Sequence, residues 1–303
     1  MHRDDAAGSL VLAADMGGSR TRVALVDDEG RVLVERSGST PSQDLVPEML
    51  VQLLRTVADT VEPGRAGHAV VGLPGPVDYE AGQLLWAPHL PETWVDLLSS
   101  SALSKSLGIP VRIANDADLA AVGEAAFGSG AGEPDVAYVT ISTGIGAGVV
   151  HRGRLLHGRR SLGEIGHTVI DWRAWTAGRP STLEEIGSGS GLARQAKDMG
   201  LGDVEARDIV TAAIAGEDPE ACALWNRALT ACAVGVCNVI MAFSPSMVVI
   251  GGGLGCRREF FVALRDMVLH RPNHHPADLS VVMSVFGDDA GLVGAAAWEA
   301  ATR

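Results

Sequence analysis

The stretch LVLAADMGGSRTRVALVDDEGRVLVE, residues 10–35, decides the fold. Its runs Leu10–Ala14, Arg22–Val26 and Arg31–Glu35 are short and β-prone, and a Gly-rich turn and an Asp-Glu-Gly turn separate them, which predicts a three-strand meander. Asp15-Met16-Gly17-Gly18-Ser19-Arg20 follows the first run directly. Glycines in such a turn let backbone N–H groups approach an anion closely; Ser19 can donate to a phosphate oxygen and Asp15 can hold Mg²⁺ through water. A plain hairpin turn carries the same letters.

The pattern returns further along. Val136–Ser142 and Ala147–His151 flank Thr143, Gly144, Ile145 and Gly146, a second strand, glycine turn and strand that reads as an internal duplication of one fold unit. Between the two copies the pattern predicts a helix over 45–61, a strand over 69–73 stopped by Pro74-Gly75-Pro76, and a helix over 95–107. A strand over 111–114 and a helix over 117–127 follow. Small and polar residues 128–134 suggest a hinge or boundary. Helices over 191–197, 206–215, 219–243, 257–269 and 291–301 and a strand over 247–250 complete an α/β chain in two halves with a cleft between them.

Composition bounds the partners. The chain has 303 residues, 47% of them apolar, ample for a buried core. Lys plus Arg is 24 against 37 Asp plus Glu, a net charge of −13 that repels nucleic-acid backbones. Cys222, Cys232, Cys237 and Cys256 all fall in the last third, without a C-x-x-C pair, so neither a zinc knuckle nor a disulfide framework is expected from them. The first apolar run is too short and too acidic in its flanks for an export leader, and Ala231–Phe243 is short of the ~20 apolar residues of a membrane helix. A cytoplasmic protein with reduced thiols and no membrane partner is expected.

Further motifs carry polar chemistry. Asn115 and Asp116 stand at a strand end, where α/β sheets collect ligands. They could act as hydroxyl clamp and general base, or simply cap the next helix. Glu164, His167 and Glu184 could hydrogen-bond vicinal sugar hydroxyls or form an ion-paired loop. Gly251-Gly252-Gly253, after a strand and before a helix, offers a side-chain-free surface to a nucleoside, or a helix entry turn.

Taken together, these residues resemble the ROK family of sugar kinases and related repressors, over residues 10–300. Asp15–Arg20 is similar to that family's first phosphate loop and Ser142–Gly148 to its second, with Gly72–Asp78 and Ala87–Pro91 matching two intervening segments. Asn115-Asp116-Ala117 matches N-D-A, in which the Asp is the catalytic base and the Asn binds sugar. Glu164, Gly166 and His167 match the sugar-binding E-x-G-H, and Leu183, Glu184, Ser188 and Gly189 match the segment of the last sugar-binding Glu.

The resemblance implies an actin-like ATPase (ribonuclease H-like) fold of two similar α/β domains around a cleft. The expected domains are 1–118, with 290–303 packing back on it, and 119–289. It implies an ATP-dependent transfer to the 6-hydroxyl of a hexose, with sugar against Gly75, His89, Asn115, Asp116, Glu164, His167 and Glu184. ATP and Mg²⁺ fall to Asp15, Gly17, Gly18, Ser19, Arg20, Thr143, Gly144, Gly146, Gly252 and Gly253. Polyphosphate is the alternative donor, and a homodimer is implied.

Two departures from the family pattern stand out. Members carry C-x-C-G-x-x-G-C for structural zinc, and Trp175, Ala177 and Thr182 stand there instead, so no zinc is expected. Trp172 and Trp175 are expected to brace that loop by apolar packing. His89 replaces the Asn of A-P-N-L near the sugar, and imidazole pairs differently with an amino group. That points to an amino-hexose such as kanosamine, and to the family's kanosamine kinases of antibiotic biosynthesis, with glucose, N-acetylmannosamine or fructose kinases as alternatives. A binding-only regulator is the competing class. Family repressors carry a winged helix before the first phosphate loop, for which nine residues before Leu10 leave too little room.

Overall fold

The computed structural model describes residues 9–17, 20–40, 46–87, 90–216, 218–270 and 276–303. In chain order its strands are β1 (Leu10–Met16), β2 (Arg20–Val26), β3 (Val32–Ser39), β4 (Ala66–Leu73), β5 (Val77–Asp78), β6 (Gln83–Leu84), β7 (Val111–Asn115), β8 (Asp135–Ile141), β9 (Ile145–His151), β10 (Arg154–Leu155), β11 (Met247–Gly251) and β12 (Ser280–Met283). They fall in two compact units: Met1–Phe127 with Gly153–Leu162 and Asp289–Arg303, and Gly128–Arg152 with Gly163–Asp288.

The first unit is built on a sheet of order β3-β2-β1-β4-β7. The meander is present: β1 pairs antiparallel with β2 and β2 with β3, while β4 lies parallel to β1 and β7 parallel to β4. Apolar residues run almost unbroken through β1 because both faces are covered. Leu10, Leu12, Ala14 and Met16 join one core with Leu50, Leu54 and Val57 of the helix Val46–Ala58. Val11 and Ala13 point to the opposite face, are equally buried, and lie on the side of the helix Ala290–Ala301, which packs on β1, β2 and β4. At the edge, β3 carries the half-buried Glu35 and the exposed Arg36 and Ser37, the composition that discourages further strand pairing.

The second unit repeats the plan. β8 pairs antiparallel with β9 and parallel with β11, and β11 parallel with β12, so β9-β8-β11-β12 copies β2-β1-β4-β7 in order and direction. The duplication read from two glycine turns is therefore a duplication of sheet topology.

The helix Pro219–Phe243 starts on Asp218, whose side chain accepts from the Glu220 and Ala221 N–H groups, with Pro219 in the first turn. By length and composition this helix could cross a bilayer, which the shorter Ala231–Phe243 run did not suggest. Half of its most apolar window is buried within the structure, including Leu229, Val236 and Ile240.

Several element ends shift by a few residues, among them β3, which runs on to Ser39, and the first helix, which ends at Ala58; three boundaries bear on the site. The helix expected over 95–107 begins only at Ser100, because the Ser99 hydroxyl accepts from the Ala102 N–H and caps it there; a short 3-10 turn, Glu92–Trp94, precedes it. The units divide after Phe127 rather than after residue 118, because the whole helix Asp116–Phe127 packs on the helix Ala290–Ala301. Residues 153–162 join the first unit, since Ser161 exchanges hydrogen bonds with Val77 and the Arg159 carbonyl accepts from the Tyr79 N–H.

Glycine lets those two helices touch at backbone distance. A Cβ on Gly294 would stand 1.9 Å from the Leu119 carbonyl oxygen, and one on Gly123 would stand 2.5 Å from that of Ala290. Gly294→Ala must therefore push the helices apart, at about 1–3 kcal/mol of stability. A chemical denaturation midpoint equal to wild type would contradict so close a crossing.

Candidate active site

In the first unit the chemistry gathers at the C-terminal ends of β1, β4 and β7. Asn115, the last residue of β7, is buried, and its side-chain oxygen accepts from the N–H groups of Ala117 (3.0 Å) and Asp118 (3.1 Å). Its amide nitrogen donates to the Gly75 carbonyl at 3.1 Å. Capping and site-building are thus the same act: the amide that starts the helix Asp116–Phe127 also ties it to the loop after β4. Asp116 is the first residue of that helix, and its Oδ1 accepts from the Ala117 N–H at 2.8 Å. The carboxylate stands at the positive end of the helix dipole.

Two glycines make room there. At Gly72 a Cβ would fall 2.9 Å from a Leu119 methyl and 3.7 Å from the Asp116 Cα; at Gly75, whose φ is +111°, it would meet the Trp86 carbonyl at 2.3 Å.

Asp15 is the one residue of β1 that is not fully buried, and its carboxyl carbon lies 3.6 Å from where a Gly291 Cβ would stand, in the first turn of the helix Ala290–Ala301. The turn that follows is held by the Gly17 N–H donating to the Arg20 carbonyl (2.9 Å) and by the Thr40 hydroxyl donating to the Gly17 carbonyl (2.8 Å), with Thr21 on Thr40 at 2.9 Å. Thr40 belongs to no motif and was not foreseen. The Arg20 guanidinium donates to Ser37 at 3.0 Å, along the edge of the sheet. Gly18, Ser19 and His89 lie outside the described residues.

In the second unit, Glu184 is bound into the second glycine turn. Its Oε2 accepts from the Ile145 N–H at 2.8 Å, and a Cβ on Gly144 would lie 2.6 Å from the same oxygen. Gly144 therefore makes room for a carboxylate, where the sequence suggested room for a phosphate. Three more hydrogen bonds clamp the turn: Gly189 N–H to the Ser142 carbonyl (2.8 Å), and the Ser190 N–H (3.2 Å) and hydroxyl (2.7 Å) to the Thr143 carbonyl. Ser190, like Thr40, lies outside the recognised motifs.

Gly252, at φ +79°, wraps the end of β8, since a Cβ there would meet the Ile141 carbonyl at 2.5 Å. Around Gly253 the nearest atom is the Ser142 hydroxyl at 3.9 Å, an open surface beside the second turn. Gly252 and Gly253 thus lie beside the second turn, against Ile141 and Ser142.

Glu164 and His167 flank a 3-10 turn with the His167 Nε2 3.9 Å from Glu164. Burial holds the Glu164 carboxyl above its ordinary range; His167 pulls it down and the Glu184 charge pushes it up. Gly166 has no space for a side chain between the Ile145 carbonyl and Glu184.

The loop where family members bind zinc is organised differently from the expectation. Trp172 and Trp175 are 66% and 62% exposed, so they do not brace it. Hydrogen bonds do: the Ile170 and Asp171 N–H groups donate to the Ser181 carbonyl, Asp171 caps the helix Trp172–Thr176, and Thr182 and Glu185 form a capping box on the helix Leu183–Gly187. Among the described residues no group of three or more His, Cys, Asp or Glu is placed to hold a metal. Mg²⁺ makes no such demand, since it takes one or two carboxylates and completes its shell with water and phosphate oxygens. Asp15 fits that use, and the open surface at Gly253 fits a nucleoside.

A profile of the ROK family matches residues 11–302. This chain belongs to the ROK family. Its actin-like ATPase fold is shared with a ROK family glucokinase from Streptomyces griseus solved with glucose and AMPPNP, at 27% identity and a TM-score of 0.80 over 95% of this chain and 98% of that one. A bifunctional enzyme NanE/NanK of Brucella melitensis is 35% identical over 95% of this chain, which spans about half, 53%, of that longer protein. An N-acetylmannosamine kinase of Citrobacter koseri is 32% identical over 94% of this chain and 97% of its own length.

The capping box has a pH signature. Backbone N–H groups of Ser181 and then Thr182 hold the Glu185 carboxyl below its ordinary value. A group depressed on folding contributes stability above its unfolded value, about 4.3, and that contribution is lost as pH falls through the folded value. Glu185→Ala should therefore lower unfolding free energy by about 1 kcal/mol at neutral pH, with the gap to wild type narrowing below about pH 4. A gap independent of pH would refute this account.

Proposed function

We propose that this chain is an ATP-dependent sugar kinase that transfers the γ-phosphoryl group to the 6-hydroxyl of a hexose, with Asp116 as general base. The observation that carries the reading is the Asn115–Asp116 junction. There a carboxylate is fixed at a helix N-terminus, beside a loop that only glycine can form. Membership of a family whose relatives include the glucokinase and N-acetylmannosamine kinase named above supports the phosphoryl-transfer class.

In this mechanism Asn115 and Gly75 position the sugar near Asp116. Asp116 accepts the proton of the 6-hydroxyl as its oxygen attacks phosphorus. Glu164, His167 and Glu184 hold the other hydroxyls. Magnesium, held by Asp15 through water, supplies charge neutralisation of the phosphate oxygens when bound. Backbone N–H groups of the two glycine turns orient the donor, and Gly252 and Gly253 take the nucleoside. ATP is preferred over polyphosphate because the open surface at Gly253 suits a base and ribose.

Within the hexoses, His89 in place of asparagine favours an amino sugar such as kanosamine, with glucose and N-acetylmannosamine as the competitors the relatives name. The homodimer that the resemblance implies is part of the same proposal, and light scattering in solution checks it.

ADP release measured with kanosamine, glucose, glucosamine, N-acetylmannosamine and fructose in competition ranks the substrates. Sugar binding by calorimetry with no turnover on any of them would overturn the kinase reading in favour of a binding-only regulator. With the preferred sugar, Asp116→Asn should cut turnover by about 10²- to 10⁴-fold while sugar affinity stays within a few-fold of wild type. An active Asp116→Asn enzyme removes Asp116 from the role of base.

A further inference from the structure

Beneath the Asn115–Asp116 junction lies a polar pair that no sequence motif marks. Asp118, two residues after the proposed base on the same helix, is 1% exposed. Its Oδ2 accepts from the Tyr79 hydroxyl at 2.6 Å, a short and strong hydrogen bond. The same phenolic oxygen accepts from the Asn115 backbone N–H at 3.3 Å. Tyr79 follows β5 immediately, and its ring is held edge-on by His157 at 5.2 Å and tilted against Trp298 at 5.7 Å. The Asp118 N–H completes the circuit by donating to the Asn115 side chain.

A buried carboxylate is costly unless it is hydrogen-bonded; Tyr79 supplies that bond, and the placement of the pair is what bears on the junction. What it touches is the last backbone N–H of β7, one residue before Asp116. β7 and β4 fix the height of Asn115 through the Leu73–Asn115 register. The Tyr79 hydroxyl adds a third attachment from outside the sheet, anchored to the helix that carries Asp116.

We propose that Tyr79 and Asp118 form a buried positioning pair that sets the orientation of the Asn115–Asp116 junction. Its contribution is to turnover, and not to sugar or nucleotide affinity. The proposal rests on the kinase reading for its functional consequence and on geometry alone for the positioning itself. Burial first, and then the Asp118 charge, hold the Tyr79 phenol protonated well above its ordinary range, so it remains a donor to Asp118 at any working pH. Neither residue faces a reacting atom, so both act through the junction.

Two measurements on the full-length chain test this. Steady-state kinetics of Tyr79→Phe and Asp118→Leu should show kcat reduced about tenfold with KM for sugar and for ATP changed less than twofold. The double variant should be no worse than the poorer single one, because both remove the same hydrogen bond. Losses that multiply, an unchanged kcat, or a rise in KM with kcat preserved would each overturn the pair as a positioning device.

Amide hydrogen exchange over residues 113–119 provides a readout that needs no activity. Tyr79→Phe should speed exchange at Asn115 and its neighbours while leaving β1 and β2 protected, and unchanged protection there would sink the proposal. The second readout also separates the two claims. If the wild-type chain transfers no phosphoryl group to any hexose, the kinase reading fails, and exchange at Asn115 still decides whether Tyr79 holds the junction.

Discussion

The side-chain oxygen of Asn115 accepts two backbone N–H groups, those of Ala117 and Asp118, and most of the first unit depends on that cap. A helix starts with four N–H groups that have no partner within it. By supplying two acceptor contacts at the last residue of β7, Asn115 lets the chain turn from strand to helix with no intervening loop. Asp116 is consequently fixed by the sheet on one side and by the helix on the other. Its neighbours follow from this: Gly72 must be small because Leu119 and Asp116 lie over it, and Gly75 is drawn in by the Asn115 amide. The helix so started then crosses Ala290–Ala301 at Gly123 and Gly294, and the first turn of that second helix reaches Asp15. One helix pair thus places the proposed base and the proposed magnesium ligand.

The two units share a sheet plan and differ in how each secures its glycine turn. In the first, β1 and β2 are joined by a turn held from outside by Thr40. In the second, the turn between β8 and β9 is held by Glu184, Gly189 and Ser190, residues about forty positions further along. The duplicated framework solves the backbone problem twice, and the side chains recruited to it have diverged. That divergence ties Glu184 to the second glycine turn: a residue assigned to sugar by resemblance is hydrogen-bonded to the backbone of Ile145.

The framework was legible in the sequence because it rests on short-range signals. Apolar runs bounded by glycine gave β1, β2, β8 and β9, and Asp218-Pro219 marked the start of the long helix at its actual position. What could not be read depended on distant partners. Nothing local distinguishes Thr40 or Ser190 from any exposed hydroxyl residue, and Tyr79 and Asp118 meet across 39 positions. The tryptophans of the former zinc loop show the converse error. Size and apolarity suggested packing for Trp172 and Trp175, but the loop's backbone is already satisfied by Ser181, Asp171 and the Thr182–Glu185 box, which leaves both rings outside.

The net charge of −13 finds its counterpart in this arrangement. The carboxylates of Asp116 in the first unit and Glu184 in the second need compensating charge. In the first unit Arg22 is committed to Glu35 and Asp289, and Arg20 turns to Ser37. Backbone N–H groups compensate instead. Ala117 donates to Asp116, Ile145 to Glu184, and Ser181 and Thr182 to Glu185. Fixed dipoles of this kind carry no side-chain entropy and do not compete as counterions for an incoming phosphate. The second glycine turn, which holds Glu184 through the Ile145 N–H, therefore gives up no cation to do so, and that is how an acidic chain stays compatible with binding a polyanion.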